Sequence, residues 1–145
     1  MSQSEYDALK LENQLCFPLY ACAREVVKRY KPFLDDVGLT YTQYVTMMVL
    51  WEKPEITSKE IGERLHLDSG TLTPVLKKLD EKGLVTRRRS PEDERNLTVT
   101  LTDAGRELRG RAACIPGRMG QCIRLDPEDA QALYRILYRL LESMA

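Results

Sequence analysis

Four cysteines and one run of cations are the side chains of this 145-residue chain best suited to chemistry. Cys16, Cys22, Cys114 and Cys122 stand far apart, and the only histidine is His66. Structural zinc sites use close pairs of ligands, which the spacings 16 to 22 and 114 to 122 lack, so no metal is expected. No phosphate-cradling glycine loop, nucleophile elbow or paired carboxylates stand out either, and neither an enzyme nor a cofactor site is expected. Thiols alone still support one reaction. A thiolate attacks a peroxide oxygen, leaves as sulfenic acid with release of an alcohol, and is then captured by a second thiol as a disulfide. The second group is Lys77, Lys78, Lys82, Arg87, Arg88, Arg89 and Arg95, seven cations within nineteen residues, against Asp80, Glu81, Glu92, Asp93 and Glu94. Such a cluster is either a solvated face or a nucleic-acid contact.

The whole chain is neutral, with 22 basic and 22 acidic residues. That total hides a division, because residues 61–111 carry eleven bases and nine acids while residues 1–60 carry seven and nine. At 43% hydrophobic and 30% charged, the composition excludes a disordered, collagen-like or cysteine-dense secreted protein. No apolar run approaches the roughly 18 residues of a membrane span. The first residues lack a basic segment followed by an apolar one, so a reducing cytoplasm with free thiols is expected.

Several elements must position these groups. Leu11, Leu15, Leu19, Ala23, Val26, Tyr30 and Phe33 recur at helical steps, and Pro18 means that this helix either kinks or starts nearby with the proline in its first turn. In an intact helix Cys16 and Cys22, six residues apart, point to different faces and cannot bridge. Thr40 with Gln43 reads as a capping box opening a second helix that closes near Pro54. Thr57 with Glu60 reads as another, flanked by Ile56 and Ile61 at staple spacing. Asp68 caps the next helix, which Leu72, Val75, Leu76 and Leu79 line and Gly83 ends. His66 falls in the turn between the two. Two helices joined by about four residues make a helix-turn-helix.

The period then changes to alternation. Residues 84–88 and 97–101 read as strands around the charged loop 89–96, a hairpin with a polar tip. Thr102 opens a fifth helix, interrupted around Pro116 to Gly120, and Asp126-Pro127 opens a last one lined by Leu133, Leu137, Leu140, Leu141 and Met144. The fold expected is mainly α with a small β-hairpin wing, a winged helix-turn-helix lobe over residues 40–101 and a helical dimerisation region over 8–35 and 102–145. In a winged helix the second helix of the pair fits the major groove and the cationic loop reaches the minor groove. The apolar stripe leaves Ser69, Thr71, Thr73, Lys77 and Lys78 facing outward, towards base edges and phosphates. Asp93 is placed to hold the Arg95 guanidinium at the hairpin tip.

The stretch Asp68-Ser69-Gly70-Thr71-Leu72-Thr73-Pro74 with Lys77-Lys78-Leu79, then Gly83-Leu84-Val85, Arg87-Arg88, Asp93-Glu94-Arg95 and Leu101-Thr102, resembles the DNA-binding lobe of the MarR family of winged-helix repressors. The stretch Leu11-Glu12-Asn13-Gln14-Leu15-Cys16-Phe17 with Leu19-Tyr20, and later Tyr30-Lys31-Pro32 and Leu39-Thr40-Tyr41, resembles its organic-hydroperoxide-sensing OhrR branch. The resemblance covers nearly the whole chain. It implies a homodimer, interlocked through its first and last helices, on a pseudo-palindromic double-stranded DNA operator. It also implies that Arg95 enters the minor groove, oriented by Asp93, with Ser69, Thr71, Thr73 and Lys77 at the major groove and Arg88 on the wing beside them.

By the same resemblance Cys16 is the sensing thiol, and Tyr30 and Tyr41 supply hydroxyls from the partner subunit to its sulfur. A helix starting beside Pro18 would put Cys16 at its positive end, which favours the thiolate. Cys122 matches the place of the resolving cysteine of two-cysteine members, with Cys114 the weaker candidate. Cys22 and Cys114 otherwise read as small buried hydrophobes. Organic hydroperoxide is then the signal, and oxidation of Cys16 releases the operator. Three other readings stay open on these residues: a regulator released by a phenolic or other small ligand, a thiol peroxidase turning over at Cys16, and a winged-helix module for protein contacts.

Overall fold

The computed structural model describes residues 2–92 and 97–145. It divides into two compact units, Met1–Ile115 and Pro116–Ala145. The first opens with a short helix, α1 (Gln3–Asp7), and a 3-10 turn at Leu11–Asn13. α2 (Cys16–Asp35) follows, so the apolar stripe that begins at Leu11 becomes helical only from Cys16. Pro18 sits in its first turn, where a missing N–H leaves no bond unmade. The uninterrupted helix keeps Cys16 and Cys22 about 9 Å apart along its axis.

α3 (Tyr41–Glu52) starts with the full reciprocal cap: Thr40 Oγ1 accepts from the Gln43 N–H at 3.3 Å and Gln43 Oε1 accepts from the Thr40 N–H at 3.1 Å. At α4 (Ser58–Leu65) the box is one-sided. Thr57 accepts from the Glu60 N–H at 3.2 Å, but the Glu60 carboxylate turns instead to Lys53 Nζ at 3.0 Å. α5 (Ser69–Glu81) ends before Gly83, whose φ of +75° lies in the left-handed region open to glycine.

The hairpin is β2 (Val85–Arg89) with β3 (Leu97–Leu101). A third strand, β1 (Glu55–Thr57), is an addition to the expected wing: it pairs with β3 on the other side, Ile56 opposite Val99, in an antiparallel sheet of order β1-β3-β2. The core includes Leu34, Met47, Leu50, Ile56, Ile61, Leu76, Leu79, Val99 and Leu108, while α1 and the 3-10 turn bury nothing in it. α6 (Asp103–Ala112) lies so close to the sheet that a Cβ on Gly105 would meet the Leu84 carbonyl oxygen at 2.3 Å. Trp51 Nε1 donates to the Gly105 carbonyl at 2.9 Å, fixing α3 against α6.

α7 (Ile115–Cys122) begins the rest of the chain and runs through Gly117 and Gly120 without a break, so the expected interruption is confined to residues 113 and 114. In the second unit α8 (Pro127–Ser143) has Asp126 before it and Pro127 at its first position. None of its residues is buried, although Leu133, Leu137, Leu140 and Leu141 give it an apolar stripe.

Candidate DNA-reading face and thiol site

The helix pair is built from local signals. α4 stops at His66, which takes the left-handed conformation (φ 55°), and two residues later Asp68 Oδ1 accepts the Thr71 N–H at 2.7 Å to start α5. That backbone bond, with a further one from the Thr71 hydroxyl, holds the Asp68 carboxyl below its ordinary value. Burial of Leu72, Leu76 and Leu79 then decides which side of α5 is outside. Ser69, Thr71, Thr73 and Lys77 are all exposed on it. Thr73 Oγ1 donates to the Ser69 carbonyl at 2.6 Å, so it meets a ligand as an acceptor. An open groove of about 1170 Å³ lies beside this helix, with Lys59, His66, Ser69, Thr73, Arg87 and Arg89 among its walls.

The cation cluster does not act as one group. Lys82 Nζ donates to the Gly38 carbonyl and, at 2.9 Å, to Gln43 Oε1, so it braces the end of α5 against the start of α3. Arg87 shares the inward face of β2 with Val85 and pairs with Asp80 at 2.9 Å, and Lys78 pairs with Glu81 at 3.5 Å. Lys77 and Arg88 are exposed, on α5 and on the outward face of β2. Asp93 and Arg95 lie outside the described residues. Nothing in the charge pattern marked Lys82 as a brace; only the fold brings it to Gln43, 39 positions away.

The thiols are all free and all exposed, which corrects the expectation of burial at Cys22 and Cys114. Cys16 is the first residue of α2. Tyr30 is on the same helix fourteen residues on, about 21 Å along the axis, so sulfur and phenol of one chain do not meet. Tyr30 instead packs against Tyr41, ring centroids 4.9 Å apart, and Tyr44 joins them at 5.8 Å and 6.3 Å. Tyr44 was not singled out from the sequence, although its place three residues after Tyr41 puts it on the same face of α3. Burial raises all three phenols above their ordinary value, and for Tyr44 the neighbouring Tyr30, Tyr41 and Cys114 add to it. Among the described residues no hydrogen bond engages these three hydroxyls. Cys122 closes α7, with its Sγ 3.6 Å from the Arg118 carbonyl. Among the described residues no three His, Cys, Asp or Glu side chains gather to hold a metal.

Comparisons place this arrangement among known proteins. The sequence profile of the transcriptional regulator SarA/Rot family matches residues 28–110. An organic hydroperoxide resistance transcriptional regulator of Bacillus subtilis (strain 168) is 48% identical over 142 residues, spanning 98% of this chain and 97% of the relative. Among solved structures, reduced AbfR bound to DNA superposes with a TM-score of 0.79 at 33% identity, over 99% of this chain and 100% of that one. Disulfide-formed AbfR gives 0.65 at 35%, over 97% and 99%. AbfR is a protein of Staphylococcus epidermidis.

Proposed function

Since the chain belongs to the MarR-type winged-helix transcriptional regulators, in the organic-hydroperoxide-responsive branch, we propose that it is a dimeric repressor that holds its operator while Cys16 is reduced and lets go when organic hydroperoxide oxidises it. Each protomer lays α5 in a major groove, with Ser69, Thr71, Thr73 and Lys77 towards bases and phosphates. The wing reaches the neighbouring minor groove through Arg88 and through Asp93 and Arg95, which lie outside the described residues. Residues 40–101 form the reading lobe, and residues 8–35 and 102–145 form the dimer. In support of the dimer, Leu9, Leu11 and Leu15 before α2 are strongly exposed, as are Tyr134, Ile136 and Tyr138 on α8. Large apolar faces of this kind mark contact surfaces. A protein that acts on DNA in this way works in the cytoplasm.

One observation carries the sensing mechanism: Cys16 and Tyr30 are fixed about 21 Å apart on one helix, so the Tyr30 hydroxyl, and that of Tyr41 packed against it, can reach the sulfur only from a second copy. The sensor and the dimer seam are then the same place. The thiolate sulfur attacks one peroxide oxygen; an S–O bond forms, the O–O bond breaks, and the alkoxide leaves as alcohol after taking a proton. Sulfur is oxidised by two electrons and the peroxide reduced by two. The Cys122 thiol of the partner then attacks the sulfenic acid, and water leaves as the disulfide forms. Two reading lobes must sit about 34–36 Å apart to enter successive major grooves, so a modest shift at the seam abolishes binding.

Cumene hydroperoxide at one equivalent per chain should release operator from the unaltered protein, and Cys16→Ser should stay bound, as followed by fluorescence anisotropy. Equal release of the Cys16→Ser protein would overturn the sensing role and favour a small-ligand mechanism.

A further inference from the structure

Cys114 is the thiol that the mechanism above leaves unused, and its position is set by two long-range hydrogen bonds. Trp51 Nε1 to the Gly105 carbonyl joins the end of α3 to the start of α6. Arg111 donates to the Asp36 carbonyl, which joins the end of α6 to the turn leading into α3. The two helices therefore run antiparallel. Going back from Trp51, Tyr44 lies two turns down α3, about 10 Å; going forward from Gly105, Cys114 lies nine residues on, about 13 Å. Both counts arrive at the same end of the packed pair.

Neighbouring residues agree with that placement. Ala112 and Ile115, on either side of Cys114, are buried in the same core as Tyr44, while Cys114 itself is exposed. The Tyr44 ring is only 3% exposed and its hydroxyl has no hydrogen-bond partner among the described residues. Burial first, and then the neighbouring Tyr30, Tyr41 and Cys114, hold the Tyr44 phenol above its ordinary value. An exposed thiol thus stands at the Tyr44 end of the packed α3–α6 pair, in the same compact unit as the tyrosine cluster.

We propose that Cys114 is a second capturing thiol, which competes with Cys122 for the oxidised Cys16 of the partner chain. This rests on the reading that the partner's Cys16 docks at Tyr30 and Tyr41, because a sulfur held there lies beside Tyr44, at the end of the helix pair where Cys114 stands. The Cys114 sulfur attacks the sulfenic sulfur of Cys16, an S–S bond forms, the S–O bond breaks, and hydroxide leaves as water with the thiol proton. The oxidant is the same organic hydroperoxide that made the sulfenic acid. A disulfide needs Cα atoms within about 7 Å, so the product also draws the start of one α2 against the end of the other chain's α6.

The test compares full-length unaltered protein with Cys114→Ser, Cys122→Ser and the double variant. Each is treated with one equivalent of cumene hydroperoxide per chain, with dimedone present to trap sulfenic acid, and mapped as non-reduced peptides. The unaltered protein should yield a Cys16–Cys114 peptide beside the Cys16–Cys122 one. In Cys122→Ser the Cys16–Cys114 peptide should become the main product, at least tenfold above the dimedone adduct of Cys16, in covalently linked dimers. The double variant should end as the dimedone adduct of Cys16. A Cys122→Ser protein that gives that adduct and no Cys16–Cys114 peptide overturns the proposal while leaving the sensing role of Cys16 intact. Should Cys16 form neither adduct nor disulfide in any variant, the sensing role fails, and this proposal with it.

Discussion

Lysines 77 and 82 lie five residues apart in one cationic run, and only one of them is available to a ligand. Lys77 is exposed on the outward side of α5, whereas the Lys82 ammonium is held by the Gly38 carbonyl and Gln43. A cation on a phosphate releases counterions, so its loss shows in the salt dependence of binding; a cation bonded across two elements of its own fold shows in stability. Lys77→Ala should weaken operator binding by a similar factor on specific and non-specific DNA and reduce the slope of log K against log salt by about one. Lys82→Ala should leave that slope unchanged and lower the Tm. Titrations at four salt concentrations with a parallel thermal melt check both. The sequence showed the seven cations and their spacing, and it showed Tyr30 and Tyr41. It did not sort the cations into bracing and exposed groups, because Gln43 and Gly38 come to Lys82 only through packing of α3 on α5.

Individual elements were legible where a local signal starts or stops them. The Asp68 cap, the stripe of Leu72, Leu76 and Leu79 and the stop at Gly83 define α5 within a few residues of one another, and α5 formed as read. Its cap carries a pH signature. Because the Thr71 bonds lower the Asp68 carboxyl in the folded state, its contribution is present above the ordinary carboxylate value of 3.8 and is lost as the pH falls through the lower folded value. Asp68→Ala should therefore reduce the Tm by a few degrees at pH 7 and by less as the pH drops below about 4, followed by circular dichroism. The start of α2 was ambiguous, since Pro18 suits both a kink and a first turn, and it settled as a first turn. β1 was missed because three residues carry no period, and its partner Val99 is 43 positions away from Ile56.

Across the whole molecule the telling feature is apolar surface without a cover. α8 buries none of its residues, yet Leu133 is 46% and Ile136 52% exposed on a helix patterned for burial. If α8 is part of the dimer seam, a charge on that face opposes association while the chain's own core is untouched. Ile136→Glu should raise the dimer dissociation constant at least tenfold, measured by sedimentation equilibrium. Operator affinity should fall with it, and the far-ultraviolet circular dichroism should keep its helical form. Retention of a tight dimer would remove α8 from the seam.

Periodicity, caps and turn residues act over a few positions, and for that reason the sequence by itself determined the helix-turn-helix, the hairpin, the outward side of α5 and the candidacy of Cys16. Which thiols are exposed, which cations are engaged within the fold's own hydrogen bonds, the third strand, and the gathering of Tyr44 with Tyr30 and Tyr41 were decided by tertiary structure alone. Each of these depends on contacts between segments tens of residues apart, and no local spacing encodes the packing that brings such segments together.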